Sequence, residues 1–174
     1  MNEKLNTAIS QQINKEIFSA FLYLSMSEWC QQKGLKGSAT WLYVQYQEEM
    51  THGQNLYHYL QYRSAPVTLF PVDKPESDFK NLLDIFEKVL AHEKTVTASI
   101  DNLATISMET KDHAAYNFLQ WYVSEQVEEE SNANDIIAKL KLAGDDLSGL
   151  LMIDTELGAR TFAPPVVPGL PAGL

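Results

Sequence analysis

Gln47-Glu48-Glu49-Met50-Thr51-His52 lies in the middle of a stretch, Ser38 to Arg63, whose apolar residues recur at helical spacing. The stripe runs through Ala39, Leu42, Tyr46, position 49, Gly53, Leu56 and Leu60, and position 49 is a glutamate. His52 follows three residues later, and side chains three apart on a helix are neighbours on one face. A carboxylate and an imidazole therefore occupy the side of this helix that the pattern assigns to the interior. Burying one unpaired carboxylate costs several kcal/mol even after relaxation, so the pair needs a chemical reason.

The same interruption recurs in three further helical stretches. In the first, roughly residues 3–32, Glu16 falls between Ile13 and Ile17 on a stripe of Leu5, Ile9, Ile13, Ile17, Ala20 and Leu24. In the third, roughly 79–108, the stripe of Leu82, Phe86, Val89, Val96, Ile100 and Leu103 is broken at Glu93. In the fourth, roughly 113–142, Ala115, Leu119, Tyr122, Ala133, Ile136 and Leu140 are interrupted by Gln126 and Glu129. Each break stands near the midpoint of its helix, so all are predicted to meet at one level of a bundle.

Connection lengths set the topology. Gly34 and Gly37 end the first helix, Ser38 is the expected N-cap of the second, Asp112 caps the fourth and Gly144 suits its end. The breaks at 33–37 and 109–112 are short, which makes helices one and two antiparallel, and likewise three and four. The middle connection, 64–78, carries Pro66, Pro71 and Pro75. Its fifteen residues reach about 50 Å when extended. A 26-residue helix spans about 39 Å. The predicted fold is therefore all-α: a four-helix bundle with one long crossover between helices two and three, plus a short fifth helix over roughly 145–159.

Length and composition agree with this. The 174 residues, 45% apolar and 21% charged, fit one domain with a single substantial core. No run of eighteen apolar residues exists and the N-terminus carries no signal-like block, so a cytoplasmic protein without a membrane partner is expected. A net charge of −10 with no basic arm makes nucleic acid a poor partner. Cys30 is the lone cysteine and can form neither an intrachain disulfide nor a cysteine metal site. Residues 1–160 read as the bundle domain. Residues 161–174, with four prolines, two glycines and no charged side chain, read as a polyproline-like tail in which Phe162, Val166, Val167 and Leu170 are available for packing.

Four clustered anions in a core repel one another, and no Lys or Arg stands on a stripe at their level. Keeping all four protonated would gain nothing for folding. Divalent cations remove the conflict, since four carboxylates balance two such ions. A neutral imidazole among carboxylates suits iron, manganese or zinc better than calcium or magnesium, which prefer all-oxygen shells. Di-metal four-helix bundles draw a Glu from each of two helices and Glu-x-x-His from each of the others. Here the second Glu-x-x-His is replaced by Gln126-x-x-Glu129.

These residues resemble the prokaryotic non-haem ferritins over about residues 3–160. The likeness is densest in Asn14-Lys15-Glu16-Ile17-Phe18-Ser19, in Gln47 to His52, in His92-Glu93, and from Asn117 to Glu130. The resemblance implies one iron held by Glu16, Glu49 and His52 and a second by Glu49, Glu93 and Glu129, with Glu49 bridging and Gln126 hydrogen-bonding beside the pair. Tyr23 matches the family's tyrosine at the centre, and Trp121 a neighbour of it; both also suit ordinary core aromatics. Glu48, Glu125 and Glu128, with Glu129, match a third, inner iron site, although the same acids also suit a cavity surface that attracts cations. The implied activity is that of a ferroxidase, oxidising Fe(II) with dioxygen (or hydrogen peroxide) and storing ferric oxo-hydroxide in a hollow homo-oligomeric shell of twenty-four chains. No haem is expected.

Two relatives compete. A haem-binding bacterioferritin carries its haem-ligating methionine where Met50 stands, but Gln126-x-x-Glu129 argues against it. A di-iron peroxidase of the rubrerythrin type adds a four-cysteine domain, which a single cysteine cannot form. A metal-free interaction bundle would leave the buried acids without a purpose.

Overall fold

The computed structural model describes residues 1–170 and contains five helices: α1 (Glu3–Gln32), α2 (Lys36–Tyr62), α3 (Leu82–Glu109), α4 (His113–Ala143) and α5 (Leu147–Leu157). No strand occurs among the described residues. Side-chain caps start four of them. Asn2 accepts from the Lys4 N–H, Asn81 from Asp84, Asp112 from Ala115, and Asp146 from Ser148 and Gly149. Asn81 as cap moves the start of α3 three residues beyond the expected 79, leaving Phe79 buried just ahead of it. Gly144 ends α4 with φ +55°, a conformation that costs a glycine nothing. No helix among the described residues is long and apolar enough to cross a membrane.

The start of α2 differs from expectation. Leu35, not Ser38, occupies the cap position and offers no side-chain acceptor. Ser38 lies inside the helix, and the missing acceptor comes from α5. The buried Asp154 carboxylate accepts the N–H of Gly37 at 3.1 Å, and both the N–H and the hydroxyl of Ser38 at 2.7 Å. A negative charge on the orphan N–H groups of a helix N-terminus is favourable on two counts, hydrogen bonding and dipole. Gly37 is needed for the approach, because a Cβ there would stand 1.6 Å from the Asp154 carbonyl oxygen. One further difference lies in α1. Leu24 is 38% exposed, and the buried face passes instead through Tyr23, Met26 and Cys30. The 3.6-residue period had drifted off the chosen stripe by that point.

α1 packs along α2, and α3 along α4, as the short connections require; α1 also meets α3. α2 and α4 stand apart at backbone level and meet through side chains, among them stacked Tyr59 and Phe118 rings 3.9 Å apart. The apolar core falls into two separate blocks. One gathers Tyr23, Met26, Leu42, Phe86, Val89 and Ile136, the other Leu5, Ile9, Leu56, Leu60, Ile100 and Phe118. Burial of each such side chain contributes about 1.5–3 kcal/mol. The layer between the blocks is polar.

Asp154→Ala is expected to destabilise the chain by about 1–2 kcal/mol through the lost cap. Amide hydrogen exchange should rise first across Leu147–Leu157 while the amides of α1 and α3 stay protected.

Candidate metal centre

Each long helix places one or two polar side chains in that middle layer. Glu16 comes from α1, Glu49 and His52 from α2, Glu93 from α3, and Gln126 and Glu129 from α4; all six are buried. Glu16, Glu49 and His52 each bring a ligand atom within 4.8 Å of the others. His52 Nδ1 lies 3.6 Å from Glu49 Oε2. Glu93 and Glu129 sit at the same level but are held differently. Glu93 accepts from the Tyr23 hydroxyl and from Gln126 Nε2 at 2.9 Å, and Glu129 accepts from Gln45 Nε2 at 2.8 Å.

Burial dominates the electrostatics. It raises Glu16, Glu49 and Glu129 above the ordinary carboxylate value, Glu49 and Glu129 strongly, and the neighbouring acids push Glu49 further. Glu93 is pushed up to about 7, chiefly by burial and against the hydrogen bond from Tyr23. Burial alone lowers His52 to about 4, so its imidazole is neutral at ordinary pH and keeps a lone pair for a metal. The Tyr23 phenol is raised well above its usual value, by burial and then by Glu93, and stays a donor. Without a cation these carboxyls can coexist only by sharing protons.

Four buried atoms in the layer lack any hydrogen-bond partner: Gln45 Oε1, Glu49 Oε2, His52 Nε2 and Gln126 Oε1. Buried polar atoms are rarely left unpaired, and orphaned lone pairs are what a bound cation would satisfy. Carboxylates mixed with a neutral imidazole fit iron, manganese or zinc. Glu16, Glu49 and His52 therefore suit a metal site.

Among the other expected site residues, Glu125 is half-buried with Oε1 3.9 Å from His52 Nε2. Glu128 is exposed, and Glu48 is half-buried and paired with Arg160 at 2.6 Å. Burial raises Glu125 to about 7, helped by Glu128 and Glu48. The Trp121 ring stands edge-on to His52 at 5.3 Å. Four residues escaped the reading of the sequence. Gln12 Nε2 donates to Glu16 at 2.9 Å, and Gln45 to Glu129; both are buried. Each precedes a stripe glutamate by four residues, Glu16 or Glu49, and so shares its face, a signal that was available. The Tyr122 hydroxyl donates to the His52 carbonyl at 2.9 Å. Arg160, the fourth, lies outside any periodic pattern.

The sequence model of the Ferritin-like domain matches residues 6–143. The chain belongs to the ferritin family. This ferritin is 42% identical over 154 residues to a bacterial non-heme ferritin of Campylobacter jejuni, covering 88% of this chain and 92% of that one. It is 38% identical over 162 residues to a bacterial non-heme ferritin of Staphylococcus aureus, 93% of this chain and 98% of that one. Among solved structures, an open pore ferritin from the archaeon Archaeoglobus fulgidus superposes with TM-score 0.92 at 46% identity, covering 92% of this ferritin and 99% of that chain. A humanized archaeal ferritin superposes at 0.93, also at 46% identity, over 94% of this chain.

The raised carboxyls carry a pH signature. A group protonated in the fold but ionised when unfolded adds stability below its ordinary value, and that stability is lost as the pH rises through its folded value. For Glu93 the window runs from 4.5 to about 7. His52 acts in the opposite sense, costing stability as the pH falls from 6.5 toward about 4. Metal-free Glu93→Gln ferritin is expected to be more stable than the metal-free wild type at pH 7, with the difference shrinking toward pH 4.5. Urea midpoints across that range measure it.

Proposed function

We propose that this ferritin is an iron store with ferroxidase activity, oxidising Fe(II) at the mid-bundle centre and depositing ferric oxo-hydroxide inside a shell of twenty-four chains. The observation that carries it is the polar layer itself: four buried carboxylates and His52 from four helices, between two apolar blocks, with lone pairs left unpaired. In this reading Glu16, Glu49 and His52 hold one Fe(II). Glu93 and Glu129, with Glu49 as bridge, hold the second.

The protein's part is to place and neutralise. Uptake of two Fe(II) displaces the protons shared among the carboxyls, so the layer becomes fully anionic only when cations arrive to match it. Carboxylates favour the higher oxidation state, and two adjacent Fe(II) supply two electrons together to dioxygen or hydrogen peroxide. The ferric ions then hydrolyse to oxo-hydroxide with release of protons. Neutral His52 donates through a ring nitrogen, while the Tyr122 hydroxyl on its carbonyl steadies that turn of α2. Gln12, Gln45 and Gln126 orient the carboxylates of Glu16, Glu129 and Glu93, and Tyr23 holds Glu93 from the opposite side. Glu48, Glu125 and Glu128, with Glu129, form a third, inner site toward the α2–α4 face, where Glu125 approaches His52. No haem takes part, and a cytoplasmic location accords with the same reading.

Glu49→Ala removes the bridge. Rapid Fe(II) oxidation, followed by absorbance of the ferric product, is expected to fall to the rate of iron in buffer, while size-exclusion mass stays that of the assembled shell. Wild-type oxidation rates in this variant would contradict the reading. Gln45→Ala is expected to weaken metal binding at the centre by about 10–100-fold, the usual effect of removing a partner that orients a ligand.

A further inference from the structure

Arg160 follows α5 and its guanidinium points back onto the α2–α4 face. Nη2 lies 2.6 Å from Glu48 Oε2, the guanidinium carbon stands 4.5 Å from the Trp41 ring centre, and Nη1 is buried without a partner. Its positive charge acts on Glu48, Glu125 and Glu129 together. A protein cation is therefore already in place beside the acids assigned above to the third metal.

The chain beyond Arg160 is laid over the same face. Arg160 lines a hollow with Trp41 of α2 and with Asn132 and Asp135 of α4. By Val167 the tail is buried in the block that contains Tyr59 and Phe118, and Gly169, at φ +93°, lies against Phe118. The fourteen helical steps of α4 from Asn132 back to Phe118 span about 21 Å. Nine residues of extended, Pro-rich chain reach about 28 Å, enough for residues 161–169 to run lengthwise along the bundle between those levels. Glu125 and Glu128 lie between those two levels on α4. The tail passes the level of those acids, anchored at one end by the Arg160–Glu48 ion pair and at the other by Val167. The expectation of a tail free to pack is thus met on its own subunit for Val167 and Leu170, while Val166 is 88% exposed and residues 171–174 lie outside the described residues.

We propose that Arg160 is a tethered counter-cation of the inner acids: it occupies Glu48 in place of a third metal, and metal binding there expels it and loosens residues 161–170 from the α2–α4 face. The inference rests on the third site described under the proposed function. The two ligands share one carboxylate, and occupancy by either excludes the other, so the coupling is reciprocal. Arg160 thereby sets the metal affinity of the inner site, and the tail reports its occupancy.

The test uses the assembled protein with Zn(II), which binds similar donors without redox chemistry. Calorimetric titration of wild type, Arg160→Gln and the double variant Glu48→Gln/Glu125→Gln counts sites per chain, and hydrogen exchange follows the amides of residues 161–170. Arg160→Gln is expected to bind the third Zn(II) about tenfold more tightly than wild type. Zn(II) should raise tail exchange in wild type, whereas in Arg160→Gln exchange is already high without metal. Equal third-site affinity in the two proteins, or a wild-type tail whose exchange Zn(II) leaves unchanged, overturns the role of Arg160. If the double variant binds as many Zn(II) as wild type, the third site itself is misplaced, and the proposal falls with it. The wild-type exchange measurement alone decides the matter should Arg160→Gln fail to assemble.

Discussion

A bundle of four long helices would be most stable with an uninterrupted apolar core, and this one gives that up at its middle. Between two apolar blocks it buries four glutamates and a histidine, groups whose charged forms are each penalised by several kcal/mol in such a place. The remaining features follow from managing that layer. Amide side chains of Gln12, Gln45 and Gln126 donate to the carboxylates, and Tyr23 donates to Glu93. Shared protons let the buried acids stand together. The apolar blocks on either side supply the stability that lets the layer persist.

Placement on four separate helices matters as much as chemistry. A single helix brings only two such groups to one face, as Glu49 and His52 show. Two metal ions need donors from all round, and a bundle with its interruptions in register provides them. The crossover matters too, since it sets α3 parallel to α2 and so fixes which end of each helix faces which. The separation of α2 from α4 leaves a face bridged by side chains rather than closed by backbone, and it is there that Glu125 approaches His52 and the tail is laid down.

Charge is also handled at the periphery by segments far apart in sequence. Asp154 of α5 caps α2 at Gly37 and Ser38, and Arg160 reaches Glu48. In both cases a residue of the C-terminal region meets α2 at a position more than a hundred residues earlier in the chain. The C-terminal region is thereby tied to the bundle through polar contacts whose loss would be felt at the N-terminus of α2 and at the inner acids, not in the core.

Much of this was legible in the chain itself. Helical periodicity placed α1 to α4, and the stripe positions occupied by Glu16, Glu49, Glu93 and Glu129 marked the layer, because a buried face repeats every three to four residues and a charge on it stands out. Connection lengths fixed the topology by reach alone. What periodicity could not give was any contact between distant segments. Ser38 looked like a cap until Asp154 proved to be the acceptor. Leu24 looked buried until the turn of α1 carried it outward. Gln12 and Gln45 were on the right face yet passed as neutral side chains. Arg160 on Glu48 had no signal at all. Sequence determines which face of each helix is inward, since that depends on neighbours along the chain; which atoms meet across the bundle depends on how the helices rotate and slide against one another, and only the folded packing decides it.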